Sequence, residues 1–144
     1  MSKKKSKSVV PIAKLKNALR RVHMHCKYRQ KAKARAKIDS ALFKCEGIDC
    51  KIAIYEGSSE KNYMKLVEAY SDSLEVVRGK VELDHEKQVI EPVRGFCDWN
   101  TYIERLWCDD NGYNVYCNSC HAEKTARESK ERAEHGTLKR NKDV

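Results

Sequence analysis

The chain has 144 residues, 40% of them hydrophobic and 35% charged, which suits one ordinary domain with a small core. Its net charge is +9 and its pI about 9.2, so a polyanionic partner is expected, nucleic acid ahead of a membrane or an acidic protein. No apolar run reaches the length of a membrane span and no signal-peptide core follows the first lysines. That predicts a cytoplasmic protein with no membrane partner.

The charge is concentrated at the start. Residues 1–37 hold 14 Lys and Arg and no Asp or Glu, while the rest of the chain is close to balanced. A one-signed arm on a balanced body suits an element that tracks phosphates. Residues 1–10 read as a disordered basic tail and residues 11–40 as a basic helical arm. Pro11 fits the first turn of a helix. Ile12, Leu15, Leu19, Val22 and Cys26 follow at steps of three and four, a stripe that predicts one or two helices over 12–38 packed on the body. His23 and His25 read as surface residues or phosphate contacts.

The segment "ALFKCEGIDCKIAIY" predicts two extended pieces around a tight turn at Gly47, flanked by Cys45 and Cys50. "SSEKNYMKLVEAYS" predicts a helix capped by Ser58 or Ser59, with Tyr63, Leu66, Val67 and Tyr70 inward. "LEVVRGKVELDH" gives two short β-rich runs, read as a hairpin around Arg78-Gly79-Lys80. In the second run Val81, Leu83 and His85 alternate with Glu82 and Asp84, which puts Asp84 and His85 on opposite faces. A loop follows. Asp98 then caps a helix through "WNTYIERLW", with Trp99, Tyr102, Ile103 and Leu106 inward. "CDDNG" breaks that helix, "NVY" is a short strand, and the next helix ends near Gly136. Residues 41–136 form the domain, and residues 137–144 read as a frayed tail.

Seven cysteines in a cytoplasmic chain suggest metal before disulfides, and an odd count argues against a full disulfide framework. Cys45-x4-Cys50 and Cys117-x2-Cys120 offer four thiolates from two distant turns, the donor set of a structural Zn²⁺ site. Such a clamp contributes on the order of 10 kcal/mol to folding, which a small core needs. Cys26, Cys97 and Cys108 read as buried thiols.

The chemistry gathers around Asp84, His85 and His121. Strand, loop, strand, helix is the frame of a ββα-metal site, in which one carboxylate and one imidazole hold a divalent cation. Asp84 is an anionic oxygen ligand suited to Mg²⁺ or Mn²⁺, and a neutral His121 biases the pair toward Mn²⁺. His85 titrates near neutrality and suits a general base toward water attacking phosphorus. Two bland readings stand beside these: His85 as a core histidine on the face of Val81 and Leu83, and His121 as the fourth ligand of a zinc site with three cysteines. Neighbouring helical residues point about 100° apart, which favours separate centres for Cys120 and His121.

The combination "FKCEGIDC … VELDH … WNTYIERLW … NVYCNSCHAEKT" resembles the HNH endonuclease family, in its zinc-containing bacteriophage branch. The C-x-x-C-H-x-x-K-T ending is matched at every defined position by residues 117–125, and the resemblance covers residues 15–130 in outline. It implies an α+β fold with a small ββα-metal core, a four-cysteine zinc clamp and added helices. It also implies a metal-dependent DNA endonuclease in which Asp84 and His121 bind the catalytic ion and His85 is the base. The chain departs from the family in four places: Pro92 comes seven residues after His85, the first cysteine pair is spaced by four rather than the commoner two, residues 51–80 form a long connection, and the usual asparagine position is Gly112. Asn111 or Asn114 stands in for that asparagine. Arg20, Arg21, Lys27, Arg29, Lys33, Arg35, Lys124 and Arg94 or Arg105 are the expected phosphate contacts, with a phage packaging or replication partner allowed for. The alternative is a non-catalytic zinc module derived from this fold that binds nucleic acid or a host protein.

Overall fold

The computed structural model describes the backbone of residues 11–142 and the side chains of residues 11–135. The expected tail over residues 1–10 lies outside the described residues. Among those described, the chain is a mixed α+β fold with five α-helices and two small sheets.

The arm is two helices, α1 (Ile12–His23) and α2 (Lys27–Ala36). α1 carries no acidic residue in its first turn and Arg20, Arg21 and His23 in its last, matching the helix dipole at its C-terminal end. The apolar stripe of α1 does not hold it to the body: Ile12 is 50% exposed and Val22 67%. The docking face is Lys16, Arg20 and His23, at helical steps of four and three. Lys16 lies over the Phe96 ring at 4.7 Å, Arg20 Nε donates to Tyr102 Oη at 3.2 Å, and His23 is buried. In α2 the alternating alanines decide the packing. Ala32 and Ala36, one turn apart, are both buried and let the helix approach the strands closely.

The larger sheet runs β1 (Lys37–Asp39), β2 (Leu42–Lys44), β3 (Ile52–Tyr55) and β4 (Glu75–Arg78), in that spatial order. β3 and β4 are parallel, and the helix between them, α3 (Glu60–Ala69), makes the crossover that a parallel pair requires. Ser59 Oγ caps α3 by accepting from the Asn62 amide at 3.2 Å. Leu66, with Tyr63, Val67 and Tyr70, packs on Leu42, Ala53, Tyr55 and Val76. The long connection over residues 51–80 is therefore a complete β-α-β unit.

That unit overturns the expected hairpin at residues 78–80. β4 already pairs with β3, and the chain leaves it through Gly79 at φ +147, a conformation side chains rarely adopt. The next strand, β5 (Glu82–His85), pairs instead with the distant β6 (Tyr113–Tyr116), antiparallel, with Asp84 opposite Asn114 and His85 opposite Tyr113. Between them lie a loop and α4 (Trp99–Leu106), capped by Asp98, which accepts from the Thr101 amide at 2.7 Å. Tyr102 and Leu106 of α4 are buried, whereas Ile103, expected inward, is 40% exposed. A 3₁₀ turn, Asp110–Gly112, leads into β6. The last helix, α5 (Asn118–Lys142), does not stop near Gly136 but runs through to Lys142; residues 143–144 lie outside the described residues. Among the described residues, no helix is long and apolar enough to cross a membrane.

Candidate functional site

Two clusters meet at the start of α5. The first is the cysteine cluster. Cys45 and Cys50 bracket the turn after β2, and Cys117 and Cys120 bracket the junction of β6 and α5. Their Sγ atoms all lie within 4.8 Å of one another. Cys50 and Cys117 are 3.9 Å apart, close to the roughly 3.8 Å edge of a tetrahedron built on a Zn–S bond of about 2.3 Å. The turn is fitted to the cluster. Asp49 takes a left-handed conformation at φ 55, and a Cβ on Gly47 would come within 2.6 Å of Cys120 Sγ. Amides are already aimed at the sulfur: Cys117 N–H and Gly47 N–H donate to Cys45 Sγ at 3.2 and 3.4 Å.

Burial pushes the thiols of Cys45 and Cys120 upward. At Cys117 burial pulls the same way, but hydrogen bonds from Cys120 and the neighbouring thiols outweigh it and bring the thiol below its usual value. Thiols packed this closely suit a cation, since a bound metal replaces their protons and satisfies all four at once. The four cysteines could hold a metal ion and are consistent with a structural zinc site. Of the remaining thiols, expected buried, Cys97 is exposed and Cys26 and Cys108 are half-buried.

The second cluster lies one residue on. Cys120 faces the sulfurs, and His121 points to β5, where its Nδ1 is 3.5 Å from Asp84 Oδ2. That Nδ1 is buried and has no hydrogen-bond partner. An imidazole nitrogen and a carboxylate oxygen at this separation can share one divalent cation with bonds near 2.1 Å. The orphaned nitrogen is the observation that fits a metal here.

Lys124, expected as a phosphate contact, is instead 8% exposed and turned inward. Its Nζ donates to Asp84 Oδ2 at 3.1 Å, to the His85 carbonyl at 2.6 Å and to Glu128 Oε1 at 2.6 Å. Burial works against its charge, but the Glu128 and Asp84 hydrogen bonds win and hold the amine above its usual value.

His85 lies on the other side of β5. Its Nε2 is 2.8 Å from the carbonyl oxygen of Leu106. A carbonyl can only accept, so Nε2 carries the proton and Nδ1 of the neutral ring keeps its lone pair. Leu106 ends α4, where helix carbonyls lack intrahelical partners. The same oxygen accepts from Tyr113 Oη at 3.0 Å. With that hydroxyl proton committed, His23 Nε2 donates to Tyr113 Oη. The His23 ring stacks on His85 and on Tyr113 with centroids 5.1 and 5.6 Å apart, His85 meets Tyr113 at a tilt with centroids 4.9 Å apart, and Trp107 meets His23 edge-on.

Burial, with the charges of His85 and Arg29 adding to it, lowers His23 to about 4. Burial also lowers His85; the Leu106 hydrogen bond opposes that shift and Arg29 reinforces it. His23, expected at the surface, is thus part of the site. Only its packing against Tyr113 and Trp107 reveals it, and neither residue is near it in sequence. Glu128 had a readable signal: it follows His121 by seven residues and Lys124 by four, on one face of α5.

A cleft of about 680 Å³ opens over this cluster, lined by Asp84, His85, His23, Arg20, Arg29 and Glu128 among others. Of the expected phosphate contacts, Arg20 and Arg29 line this cleft. Arg21 and Lys27 lie on the exposed surface of the arm, and Arg94 is exposed beside Glu91. Arg105 lines a neighbouring cleft together with Lys87, Lys124 and Arg127.

Two basic residues are structural instead. Lys33 pairs with Glu56 at 2.5 Å. Arg35 makes a two-pronged bond to Glu46 at 2.8 and 3.0 Å and donates to the carbonyls of Asp110 and Tyr113, which ties α2 to the cysteine turn and β6.

Asn114, opposite Asp84 in the sheet, is half-buried, while Asn111 is exposed in the 3₁₀ turn. Position 112 excludes a side chain, because a Cβ there would meet Cys108 Sγ at 2.4 Å.

No protein-family model matches the chain, and no curated protein or solved structure is similar enough to count as a relative.

Proposed function

We propose that the protein is a metal-dependent DNA endonuclease of the HNH type, hydrolysing phosphodiester bonds in the cleft over β5, β6 and α5. The observation that supports this best is the approach of Asp84 to the unpartnered Nδ1 of His121, at a cleft that Asp84 and His85 both line. Asp84 Oδ2 and His121 Nδ1 are 3.5 Å apart, and on the other side of β5 His85 is held by Leu106 through Nε2, which leaves its Nδ1 the lone pair.

In this reading Asp84 and His121 hold Mg²⁺ or Mn²⁺, which when bound supplies charge stabilisation to the phosphoryl oxygens. The four cysteines hold Zn²⁺ and fix the angle of α5 against the sheet. His85 Nδ1 takes a proton from water as the water oxygen bonds to phosphorus. The scissile P–O bond breaks, and its oxygen takes a proton from solvent. The α4 carbonyl keeps the His85 ring in the productive tautomer and stabilises the imidazolium that forms. Arg20 and Arg29 hold the DNA backbone at the cleft mouth, by contacts that weaken as salt rises.

The test is plasmid nicking by zinc-loaded protein with Mg²⁺ or Mn²⁺, comparing wild type with His85→Ala. The expected loss in the variant is about 10²- to 10⁴-fold. Equal cutting by both removes His85 as the base.

One observation favours a second reading. Lys124 already pairs with both Asp84 and Glu128, as suits a non-catalytic module that binds nucleic acid or a host protein. Absence of cutting by pure wild type, together with salt-sensitive DNA binding, selects that reading.

A further inference from the structure

We infer that Lys124 is a built-in counter-cation that competes with the divalent ion for Asp84, so that metal binding requires it to swing out toward a substrate phosphate. This rests on the proposed metal-dependent nuclease reading and adds a residue to it.

Three donors of one ammonium meet three acceptors: Asp84 Oδ2, Glu128 Oε1 and the His85 carbonyl. Asp84 Oδ2 is the same atom that faces the unpartnered Nδ1 of His121 at 3.5 Å. A cation bonded to that oxygen and an ammonium hydrogen-bonded to it would be like charges sharing one ligand atom, in a site largely screened from water. Their repulsion is strong at that range. The lysine therefore sets the affinity of the site in the absence of DNA.

Its exit is visible. Lys124 also lines a cleft of mixed charge, with Lys87, Arg105 and Arg127 facing Glu86, Glu128 and Glu131, and the Arg105 Nε there is buried without a partner. A phosphate there would receive the displaced ammonium. Moving Lys124 frees the carboxylate of Glu128, which adds anionic oxygen beside Asp84. Lys124 and Glu128 are positioning residues in this scheme. They act through Asp84 and the cation rather than on the reacting bond.

The test uses full-length, zinc-loaded protein and Mn²⁺ alone, with free ion read by electron paramagnetic resonance. Lys124→Met is expected to bind Mn²⁺ at least about tenfold more tightly than wild type, and Lys124→Arg to stay near wild type. Should Lys124→Met lose zinc, Lys124→Gln is expected to show the same gain. Adding a short DNA duplex tightens Mn²⁺ several-fold in wild type and little in Lys124→Met.

Equal or weaker Mn²⁺ binding by the uncharged variants overturns the lysine's role while leaving the nuclease reading intact, as does equal tightening by DNA in both proteins. If Asp84→Ala changes Mn²⁺ binding neither in wild type nor with Lys124→Met, the metal reading itself fails and the inference falls with it.

Discussion

Nε2 of His85 and the terminal carbonyl of α4 at Leu106 are 2.8 Å apart. That contact joins a strand residue to a helix end 21 positions away and decides which imidazole nitrogen carries the proton. It also links His85 to the arm, because Tyr113 donates to the same carbonyl and accepts from His23 of α1. The basic arm is thus part of the wall of the site as well as a carrier of charge.

Tyr113→Phe separates these roles. It keeps the buried ring but leaves the His23 Nε2–H without an acceptor. Loss of about 1–3 kcal/mol is expected by urea unfolding, the usual cost of an orphaned buried donor. His85 retains Leu106, so nicking by the folded protein falls only a few-fold.

His23 gives the protein a predictable acid sensitivity. Its pKa is lowered to about 4 in the fold against 6.5 when unfolded. Between those values the unfolded chain binds more protons, so the His23 contribution is complete above pH 6.5 and is lost as pH falls toward 4. His23→Phe removes that titration. The gap between the urea midpoints of wild type and His23→Phe, measured at about pH 7 and about pH 5, is expected to change in favour of the variant at the lower pH. Parallel midpoints contradict it. Acidification weakens thiolate–metal bonding in both proteins and cancels in the comparison.

The cysteine cluster should carry much of the stability. Cys45→Ser removes the most enclosed sulfur, the acceptor of two amides. Bound zinc should fall from one equivalent to well under half by elemental analysis. The thermal midpoint should drop by tens of degrees, and a strong chelator should lower wild type toward the variant. A variant as stable as wild type, with or without chelator, removes the clamp.

Gly112 can be tested by restoring the asparagine that the resemblance implies. Gly112→Asn forces a Cβ into Cys108, whose Sγ would lie at 2.4 Å, and is expected to destabilise by about 1–3 kcal/mol. Combining it with Cys108→Gly, which removes both the Sγ and the Cβ that would lie at 2.7 Å, should recover most of that loss. Recovery of stability by the double variant marks the clash; no recovery places the cost in the backbone.

What is legible in the sequence is local or strongly typed chemistry. The cysteine spacing, the Asp98 cap, the α3 face and the Asp84, His85 and His121 grouping depend on short-range pattern and on residue types with few other uses. The structure has the four cysteines together, the cap and the α3 face in place, and Asp84 beside His121, with His85 on the other side of β5.

What is not legible turns on distance and charge. β4 looks like half of a hairpin because its true partner, β3, lies across a helix. The leucine stripe of α1 suggests apolar docking, but the helix docks through Lys16, Arg20 and His23, a polar face that hydrophobic periodicity does not register. Lys124, Lys33 and Arg35 look like free cations in a basic chain. Their acidic partners are visible too, but only the fold brings Asp84, Glu56 and Glu46 to them.

The central claim is that the adjacent residues Cys120 and His121 serve two different metal centres. Anomalous scattering from crystals of zinc-loaded protein soaked in Mn²⁺, recorded at both absorption edges, tests it directly. The account predicts a zinc peak among Cys45, Cys50, Cys117 and Cys120, and a separate manganese peak between Asp84 and His121. A single zinc peak with His121 among its ligands, or no manganese beside Asp84, would contradict it.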